Sequence, residues 1–306
     1  MLPVCRKFDI FFKNAAFGHF PSPPTMQTVL TIAGFDPSSG AGVTADLMVF
    51  AAHSLFGTAC ITALTVQSTL GVRSTHPTSP AVLRATLDCL EQDLPPAGIK
   101  IGMLATEDNA FIICDYLEKH QLKHWHRSEG WFPVVLDPVL RSTSGRELLE
   151  PAAVTLVRDR LLPQVDWITP NLAELAVLSG VVVATRDDLP RACRALQSRT
   201  AISPDGHRLG VFATGGHLDP PDDYLLLPTG QGLWLPGERV VTRSTHGTGC
   251  ALSSAFLSRL VLGDAPRQAA QAAKLYVANA LRSAVQIGTG TGPMNHLWGL
   301  YKPSGE

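Results

Sequence analysis

The sequence lacks several features that would assign it to a class at once. Its 306 residues carry a formal net charge of −1, with 25 Lys and Arg against 26 Asp and Glu. Such a balance disfavours electrostatic binding of nucleic acid or of an anionic membrane surface. The six cysteines include no C-x-x-C pair, which disfavours a zinc site or a redox pair. Finally, no run of about 18 uncharged apolar residues predicts a transmembrane helix.

What the chain does have is the composition of a globular protein. Hydrophobic residues make up 45% of it and charged residues 17%, so it can bury a sizeable core. We find no internal repeat and no linker after Pro24, and we therefore expect one domain over residues 26–302. Residues 1–25 read as a disordered leader, or as the product of an upstream start with Met26 as the natural beginning. A chain of this length needs no disulfides, so we expect reduced thiols and a cytoplasmic location.

From Met26 onward, short apolar runs alternate with longer helical patterns. This rhythm predicts βαβ units: an α/β fold with a mainly parallel central sheet and helices on both faces. Two late apolar runs, 224–227 and 232–235, predict a small β-hairpin. The expected strands are 29–33, 58–66, 98–103, 134–136, 167–168 and 210–213, and the expected helices are 43–53, 80–92, 107–119, 151–160, 172–179, 187–198, 249–262 and 265–286.

Ligands of open parallel sheets bind beyond the carboxyl ends of the strands, and polar, glycine-rich segments gather at those ends here. Residues 34–42, Gly-Phe-Asp-Pro-Ser-Ser-Gly-Ala-Gly, follow the first strand. The segment is neither a Walker A loop nor a G-x-G-x-x-G fingerprint. Its glycines permit close approach of a ligand, and a plain strand-to-helix turn is the alternative interpretation.

The most informative segment surrounds Thr248, where Gly247 and Gly249 precede an apolar helical pattern. Backbone N–H groups at such a helix start have no intrahelical partner and converge on one point, which makes an anion-binding turn. Cys250, in the first turn of that helix, is expected to have its thiol pKa lowered from ~8.5 toward neutrality, which suits a base or a nucleophile. A buried structural cysteine is the commoner alternative. We expect that structural role for Cys60, Cys89, Cys114 and Cys193.

Asn171 and Glu174 lie between a strand and a helix with two interpretations open. Their spacing is that of an N-cap and its capping-box partner. It also suits a pair of oxygen ligands for Mg²⁺ or its waters near phosphates. Asp137 ends another strand just before Pro138 and could organise charge beside a triphosphate.

Taken together, these segments resemble the hydroxymethylpyrimidine/phosphomethylpyrimidine kinases of thiamine biosynthesis, in the ribokinase-like superfamily. The resemblance spans nearly everything from Val29 to His296, with the motifs in the family's order. They are residues 32–42 (IAGFDPSSGAG), 45–47 (ADL), 62–67 (TALTVQ), 100–104 (KIGML), 136–139 (LDPV), 169–174 (TPNLAE), 214–217 (TGGH) and 246–250 (HGTGC).

The resemblance implies ATP-dependent phosphorylation of 4-amino-5-hydroxymethyl-2-methylpyrimidine, and then of its monophosphate to the diphosphate. It implies ATP and Mg²⁺ as cofactors, a small-molecule partner only, and a homodimer of the kind common among relatives. By the same resemblance, Cys250 is the catalytic base and Asp137 and Glu174 organise the metal. The implied substrate-binding residues are Gly34, Asp46, Val66, Gln67 and Met103. Those implied for the nucleotide are Asp137, Arg141, Asn171, Thr214, Gly216, Gly247, Thr248 and Gly249.

The chain departs from the family pattern at two positions. Thr143 and Thr214 stand where many members carry lysine, and Arg141 is the nearby positive charge that could compensate. The departures bear on phosphate coordination and on the second phosphorylation. Two other functions are carried forward: a pyridoxal or other small-alcohol kinase of the same superfamily, and a non-catalytic ligand-binding protein on this fold.

Overall fold

The computed structural model describes residues 26–124, 132–142, 145–200 and 208–300. The expected leader (1–25), most of the segment before the fifth strand (125–131), Thr143 and the last residues of the chain lie outside these ranges.

A nine-stranded sheet runs through the described part of the chain. Its order is β3-β2-β1-β4-β5-β6-β7-β8-β9. The strands are β1 (Thr28–Phe35), β2 (Phe56–Ser68), β3 (Gly71–Pro77), β4 (Ile99–Ile101), β5 (Val134–Leu136), β6 (Trp167–Ile168), β7 (Gly210–Ala213), β8 (Asp223–Leu226) and β9 (Gly232–Leu235). The pairs from β2 through β7 are parallel, whereas β3, β8 and β9 pair antiparallel at the two margins. The loops that leave the parallel strands therefore meet at one edge.

Helices cover both faces of this sheet. They are α1 (Gly42–Ala52), α2 (Pro80–Asp93), α3 (Glu107–His124), α4 (Pro151–Leu156), α5 (Leu172–Ser179), α6 (Leu189–Arg199), α7 (Thr248–Val261) and α8 (Pro266–Arg282). A π-helical turn (Val157–Leu161) and a 3₁₀ turn (Leu162–Gln164) extend α4, and a second 3₁₀ turn (Arg186–Asp188) precedes α6.

Alternating side chains of the strands feed two separate cores. Leu30 and Ile168 pack with α2 to α6 on one face, while Val29 and Trp167 pack with α1, α7 and α8 on the other. This is the two-sided burial expected of a parallel sheet. Burial on both faces fixes the strands, and with them the positions of the loops at their carboxyl ends.

Most sequence-based elements are found within a few residues of their predicted bounds, with three differences. The edge strand β3 was not predicted. The regular α-helix of α4 ends at Leu156, where the π-helical turn begins, rather than near residue 160. Cys89 is exposed on α2 and not in the core, although Cys60, Cys114 and Cys193 are buried as expected. Among the helices of the described ranges, none is long and apolar enough to cross a membrane.

Candidate active site

An open cavity of about 990 Å³ lies at the edge where the parallel strands end. It brings together thirteen residues that the sequence analysis singled out from distant parts of the chain. These lining residues are Gly34, Gln67, Met103, Asp137, Arg141, Asn171, Glu174, Thr214, Gly216, Gly247, Thr248, Gly249 and Cys250. Two other predicted residues, Asp46 and Val66, do not line it.

The anion turn, residues 247–250, forms the start of α7 as the sequence predicted. Gly247 has φ +83°, and no side chain caps the helix. A Cβ atom at Gly247 would lie 1.7 Å from the carbonyl oxygen of Gly40, so only glycine allows the two loops to approach this closely. Because the first N–H groups of the helix have no intrahelical acceptor, the turn can receive a phosphate.

A loop of residues 36–41 faces the anion turn and is held by one carboxylate. Asp36 accepts hydrogen bonds from the backbone N–H groups of Ser38 (2.8 Å), Gly40 (3.1 Å) and Ala41 (2.9 Å). Its Oδ2 also lies 2.8 Å from Nε2 of His246, the residue just before the anion turn. Although burial opposes it, hydrogen bonds from His246 and Ser38 lower the pKa of Asp36 to about 2. The Asp36–His246 pair therefore ties the two loops together.

Cys250 lines the cavity in a half-buried position, but the predicted low thiol pKa is wrong. Burial raises the pKa of Cys250 to about 12, against the opposing charge of Lys100, and the charges of Asp137 and Asp46 raise it further. The sequence showed the helix start but not the two carboxylates, which come from distant segments. The raised pKa keeps the Cys250 thiol protonated at neutral pH.

Asp137 and Glu174 both line the cavity, and the charge of one affects the other. Burial, then the charge of Asp137, raises the pKa of Glu174 to about 8. The pKa of Asp137 is also raised, mainly by burial. Within the described ranges no group of three or more His, Cys, Asp and Glu side chains is arranged to hold a metal. Two carboxylates beside an anion turn nevertheless suit Mg²⁺, which is commonly bound by one or two carboxylates together with phosphates and water.

Both interpretations of the Asn171–Glu174 spacing remain compatible with the geometry. The capping box is formed: Asn171 Oδ1 accepts the Glu174 N–H at 3.0 Å, and Glu174 Oε2 accepts the Asn171 N–H at 2.9 Å. Both residues also line the cavity. The helix cap thus orients the Glu174 carboxylate at the edge of the sheet.

Gly34, Gln67 and Met103, the predicted pyrimidine-binding residues, all line the cavity. A Cβ atom at Gly34 would lie 2.9 Å from the Met103 sulfur, so the glycine leaves room for that side chain. Val66, by contrast, is 49% exposed outside the cavity. Asp46 is fully buried behind the cavity, where it forms an ion pair with Lys100. The structure therefore does not bring Val66 or Asp46 into contact with the cavity space.

Of the two positions where the chain departs from the family pattern, only Thr214 lies within the described residues. Thr214 lines the cavity at the end of β7, and its N–H donates to the Pro170 carbonyl at 2.9 Å. Arg141 lies at the rim with a largely exposed side chain, 3.4 Å from Glu147. An ion pair this exposed contributes little, so the guanidinium is available to a bound anion.

Sequence reasoning missed one wall of the cavity and its buried cation. Residues 235–240 and one face of α8 contribute this wall, including Leu275, Lys274 and Leu281. The only sequence signal for it was the amphipathic pattern of α8. Lys100, from the middle of β4, also reaches the cavity although the residue itself is fully buried.

The sheet order, the loops at its carboxyl edge and the glycine turn before α7 define a small-molecule kinase of the ribokinase-like class, as predicted. The description "Phosphomethylpyrimidine kinase" belongs to the family model that matches residues 36–295. The chain is a member of that family, which confirms the predicted resemblance.

Individual relatives agree with this assignment. Hydroxymethylpyrimidine/phosphomethylpyrimidine kinase of Haemophilus influenzae is 35% identical over 276 residues, which is 89% of this chain and 97% of that protein. The Escherichia coli protein of the same name is 38% identical over 272 residues, or 87% and 96% of the two chains.

Solved structures give the same fold. The phosphomethylpyrimidine kinase of Clostridium difficile matches with TM-score 0.69 and 31% identity over 83% of this chain and 99% of that one. An ADP complex of Bacillus subtilis pyridoxal kinase matches with TM-score 0.75 and 28% identity over 89% and 98%.

Proposed function

We propose that this protein transfers the terminal phosphoryl group of ATP to the 5-hydroxymethyl group of 4-amino-5-hydroxymethyl-2-methylpyrimidine. The same site then phosphorylates the monophosphate to the diphosphate. Family membership supports both steps, because the full-length relatives carry both activities in their names. Solved relatives with ADP, or with an ATP analogue and a substrate, support ATP as the donor.

One observation carries the proposal: the anion turn and the three residues Gly34, Gln67 and Met103 line the same cavity. An amide such as Gln67 offers a donor and an acceptor side by side, which suits the ring nitrogen and amino group of an aminopyrimidine. Met103 supplies a polarizable contact for the ring. The apolar residues of the α8 wall, among them Leu275 and Leu281, suit a nucleobase.

In the first transfer, the acceptor oxygen forms a bond to the γ-phosphorus while the bond to the bridging oxygen breaks. ADP leaves with that electron pair, and the hydroxyl proton moves to the Cys250 sulfur. The sulfur must enter this step as a thiolate, stabilised by the Gly42 N–H and by Lys100. The anion turn holds the transferred group, where a preorganised donor can contribute ~2.7–4 kcal/mol.

Asp137 and Glu174 are the residues that would hold Mg²⁺. Both carboxylates are buried, and the charge of Asp137 raises the pKa of Glu174, so a cation between them would relieve their repulsion. When bound, the ion supplies positive charge that neutralises phosphate oxygens and lowers the negative potential around Cys250. The task of Asp137 and Glu174 themselves is to hold their carboxylate oxygens in position at the carboxyl edge of the sheet.

Arg141 is the proposed contact for phosphate at the rim. A phosphate monoester carries about −1.5 to −2 charges at neutral pH, and a guanidinium binds such oxygens well. The side chain is exposed and weakly paired with Glu147. It would therefore serve the role that lysine serves in relatives at positions 143 and 214.

A substrate panel tests the proposal directly. Purified protein with MgATP is offered the pyrimidine, its monophosphate and pyridoxal, and both ADP and phosphorylated products are quantified. We expect mono- and diphosphate products from the pyrimidine. Absence of ADP with every substrate would instead support a non-catalytic binding protein.

Pyridoxal kinase is the second candidate, because pyridoxal kinases are among the structural matches with TM-scores of 0.74 and 0.75. The panel separates the two candidates by kcat/KM. Pyridoxal turning over far faster than the pyrimidine would replace the proposed substrate without changing the reaction class.

A further inference from the structure

Lys100 is a fully buried cation whose surroundings single it out. It lies in the middle of β4, and both oxygens of Asp46 accept from its ammonium, at 3.0 and 2.9 Å. Both side chains of the pair are 0% exposed. A Cβ atom at Gly102 would lie 2.9 Å from Nζ, so the glycine leaves the space that the ammonium needs.

The carboxylate of Asp46 is itself fixed from two further directions. Thr31 on β1 donates to Oδ2 at 2.6 Å, and Ser254 on α7 donates to Oδ1 at 2.7 Å. Asp46 is one helical turn below Gly42, and Ser254 is one turn below Cys250. The pair therefore joins β1, β4, α1 and α7 directly beneath the two loops that face each other across the cavity.

The charge of the Lys100 ammonium also acts on the part of the cavity wall that Cys250 and Asp137 form. An ammonium has three N–H groups, and Asp46 takes two of the hydrogen bonds. Within the described residues no hydrogen bond uses the third. Lys100 lines the cavity and interacts electrostatically with Cys250 and Asp137. No other Lys or Arg of the described ranges is fully buried.

We propose that Lys100 is a positioning residue for phosphoryl transfer, whose ammonium, fixed by Asp46 at the cavity wall, balances the negative charge of Cys250 and Asp137. This inference rests on the proposed function. It assigns Asp46 a role through Lys100 rather than a contact with the pyrimidine. The competing explanation is a purely structural ion pair, and such pairs can often be replaced by neutral side chains without loss.

Removing the two charges together separates the explanations. Lys100→Met leaves Asp46 buried without its partner, so a loss of activity could follow from misfolding alone. The double variant Asp46→Asn/Lys100→Met removes both charges and keeps the side-chain shapes, and the new amide oxygen can still accept a hydrogen bond from Thr31 or Ser254. Ser258→Ala is the matched control on α7, because Ser258 is buried and its hydroxyl donates to the Ser254 carbonyl, at 2.7 Å.

The measurements are the melting temperature, kcat, and KM for the pyrimidine and for ATP. We expect the double variant to melt close to the wild type, with kcat lowered ~10²-fold, the size of effect seen when a preorganised polar contact is lost. Both KM values should change by less than about 3-fold, because binding contacts are intact. Ser258→Ala should keep the wild-type kcat.

Wild-type kcat in the double variant would overturn the inference and leave the pair a structural one. If the double variant does not fold, Asp46→Asn decides, because it keeps the ammonium but removes the carboxylate that fixes it. A kcat at least about 10-fold below wild type with KM values within about 3-fold supports the inference, and a kcat within about 3-fold of wild type overturns it. Failure of the wild type to phosphorylate any pyrimidine is a separate result, which would overturn the proposed function.

Discussion

Two helices begin at the same cavity, and their first turns are built in opposite ways. The first turn of α5 is capped by its own side chains, Asn171 and Glu174. The first turn of α7 follows Gly247 in a left-handed conformation, and no side chain caps it. A capped helix start has its N–H groups occupied, whereas an uncapped one keeps them for a ligand. Similar strand-to-helix loops thus use their N–H groups for the fold in one case and leave them open to an anion in the other.

The largest effect is expected from the residue that the uncapped turn presents. Cys250→Ala should lower kcat for the first phosphorylation by 10²- to 10⁴-fold, the usual contribution of a positioned base. The second phosphorylation should fall less, because a phosphate acceptor is mostly ionised at neutral pH and needs no base. Product analysis by chromatography measures both steps.

Cys89→Ala is the control for this experiment, since Cys89 is exposed and lies on α2 away from the cavity. It should leave both steps unchanged. Equal losses in the two phosphorylations of Cys250→Ala would contradict a base role and favour a purely steric one.

Gly247→Ala should break the uncapped turn itself. Alanine in a left-handed conformation costs about 1–2 kcal/mol, and its Cβ would also lie 1.7 Å from the Gly40 oxygen. We expect kcat/KM to fall ~10²-fold as the turn shifts away from the phosphate. Gly230→Ala is a matched control, because Gly230 has φ +84° and no atom within 4 Å of its Cβ position. It should lose only the roughly 1–2 kcal/mol that the left-handed conformation costs, and keep full activity.

The sequence was sufficient for the parts of the molecule that local patterns determine. Strand and helix alternation predicted the parallel sheet, and the polar, glycine-rich segments after the strands predicted which loops meet at its edge. β3 was missed because its stability comes from antiparallel pairing with β2, while its own residues, such as Arg73 and His76, are polar. Local propensity carries little information about such an edge strand.

Long-range electrostatics explains the other misses. The family resemblance implied a substrate-binding role for Asp46, but its partner Lys100 is 54 residues away. The thiol pKa of Cys250 was predicted from the helix start alone. Burial and the carboxylates of Asp137 and Asp46 outweigh that effect, and neither is visible in the sequence around Cys250.

Measuring stability against pH tests how far the Glu174 carboxylate, at the start of α5, destabilises the fold when it ionises in the cavity. Burial and the charge of Asp137 raise the pKa of Glu174 from 4.5 to about 8. The native state then binds this proton more tightly than the unfolded state, so its contribution is present below about pH 4.5 and is lost as the pH rises toward 8. Glu174→Gln stays neutral. Between about pH 5 and 8 the free energy of unfolding of the wild type should fall more than that of the variant. The difference between the two decreases should be at least about 1.4 kcal/mol.

Denaturant unfolding at a series of pH values provides this measurement. His53 and His296, whose pKa values are lowered mainly by burial, contribute equally to both proteins and cancel in the difference. Parallel stability curves for the two proteins would contradict the raised pKa of Glu174.

The smallest effect is expected from removing a helix N-cap. The informative comparison is between the cap of α5, at the cavity, and the cap of α2, away from it. Asn171→Ala and Ser79→Ala each delete a side-chain acceptor at a helix start, for the N–H of Glu174 and of Val82. Each should cost about 1 kcal/mol of stability. Only Asn171→Ala should also raise KM for ATP, because the Asn171 side chain belongs to a residue that lines the cavity, whereas α2 lies outside it. Unchanged KM in both variants would mean that the α5 cap serves folding alone, leaving α7 as the helix start that binds the phosphate.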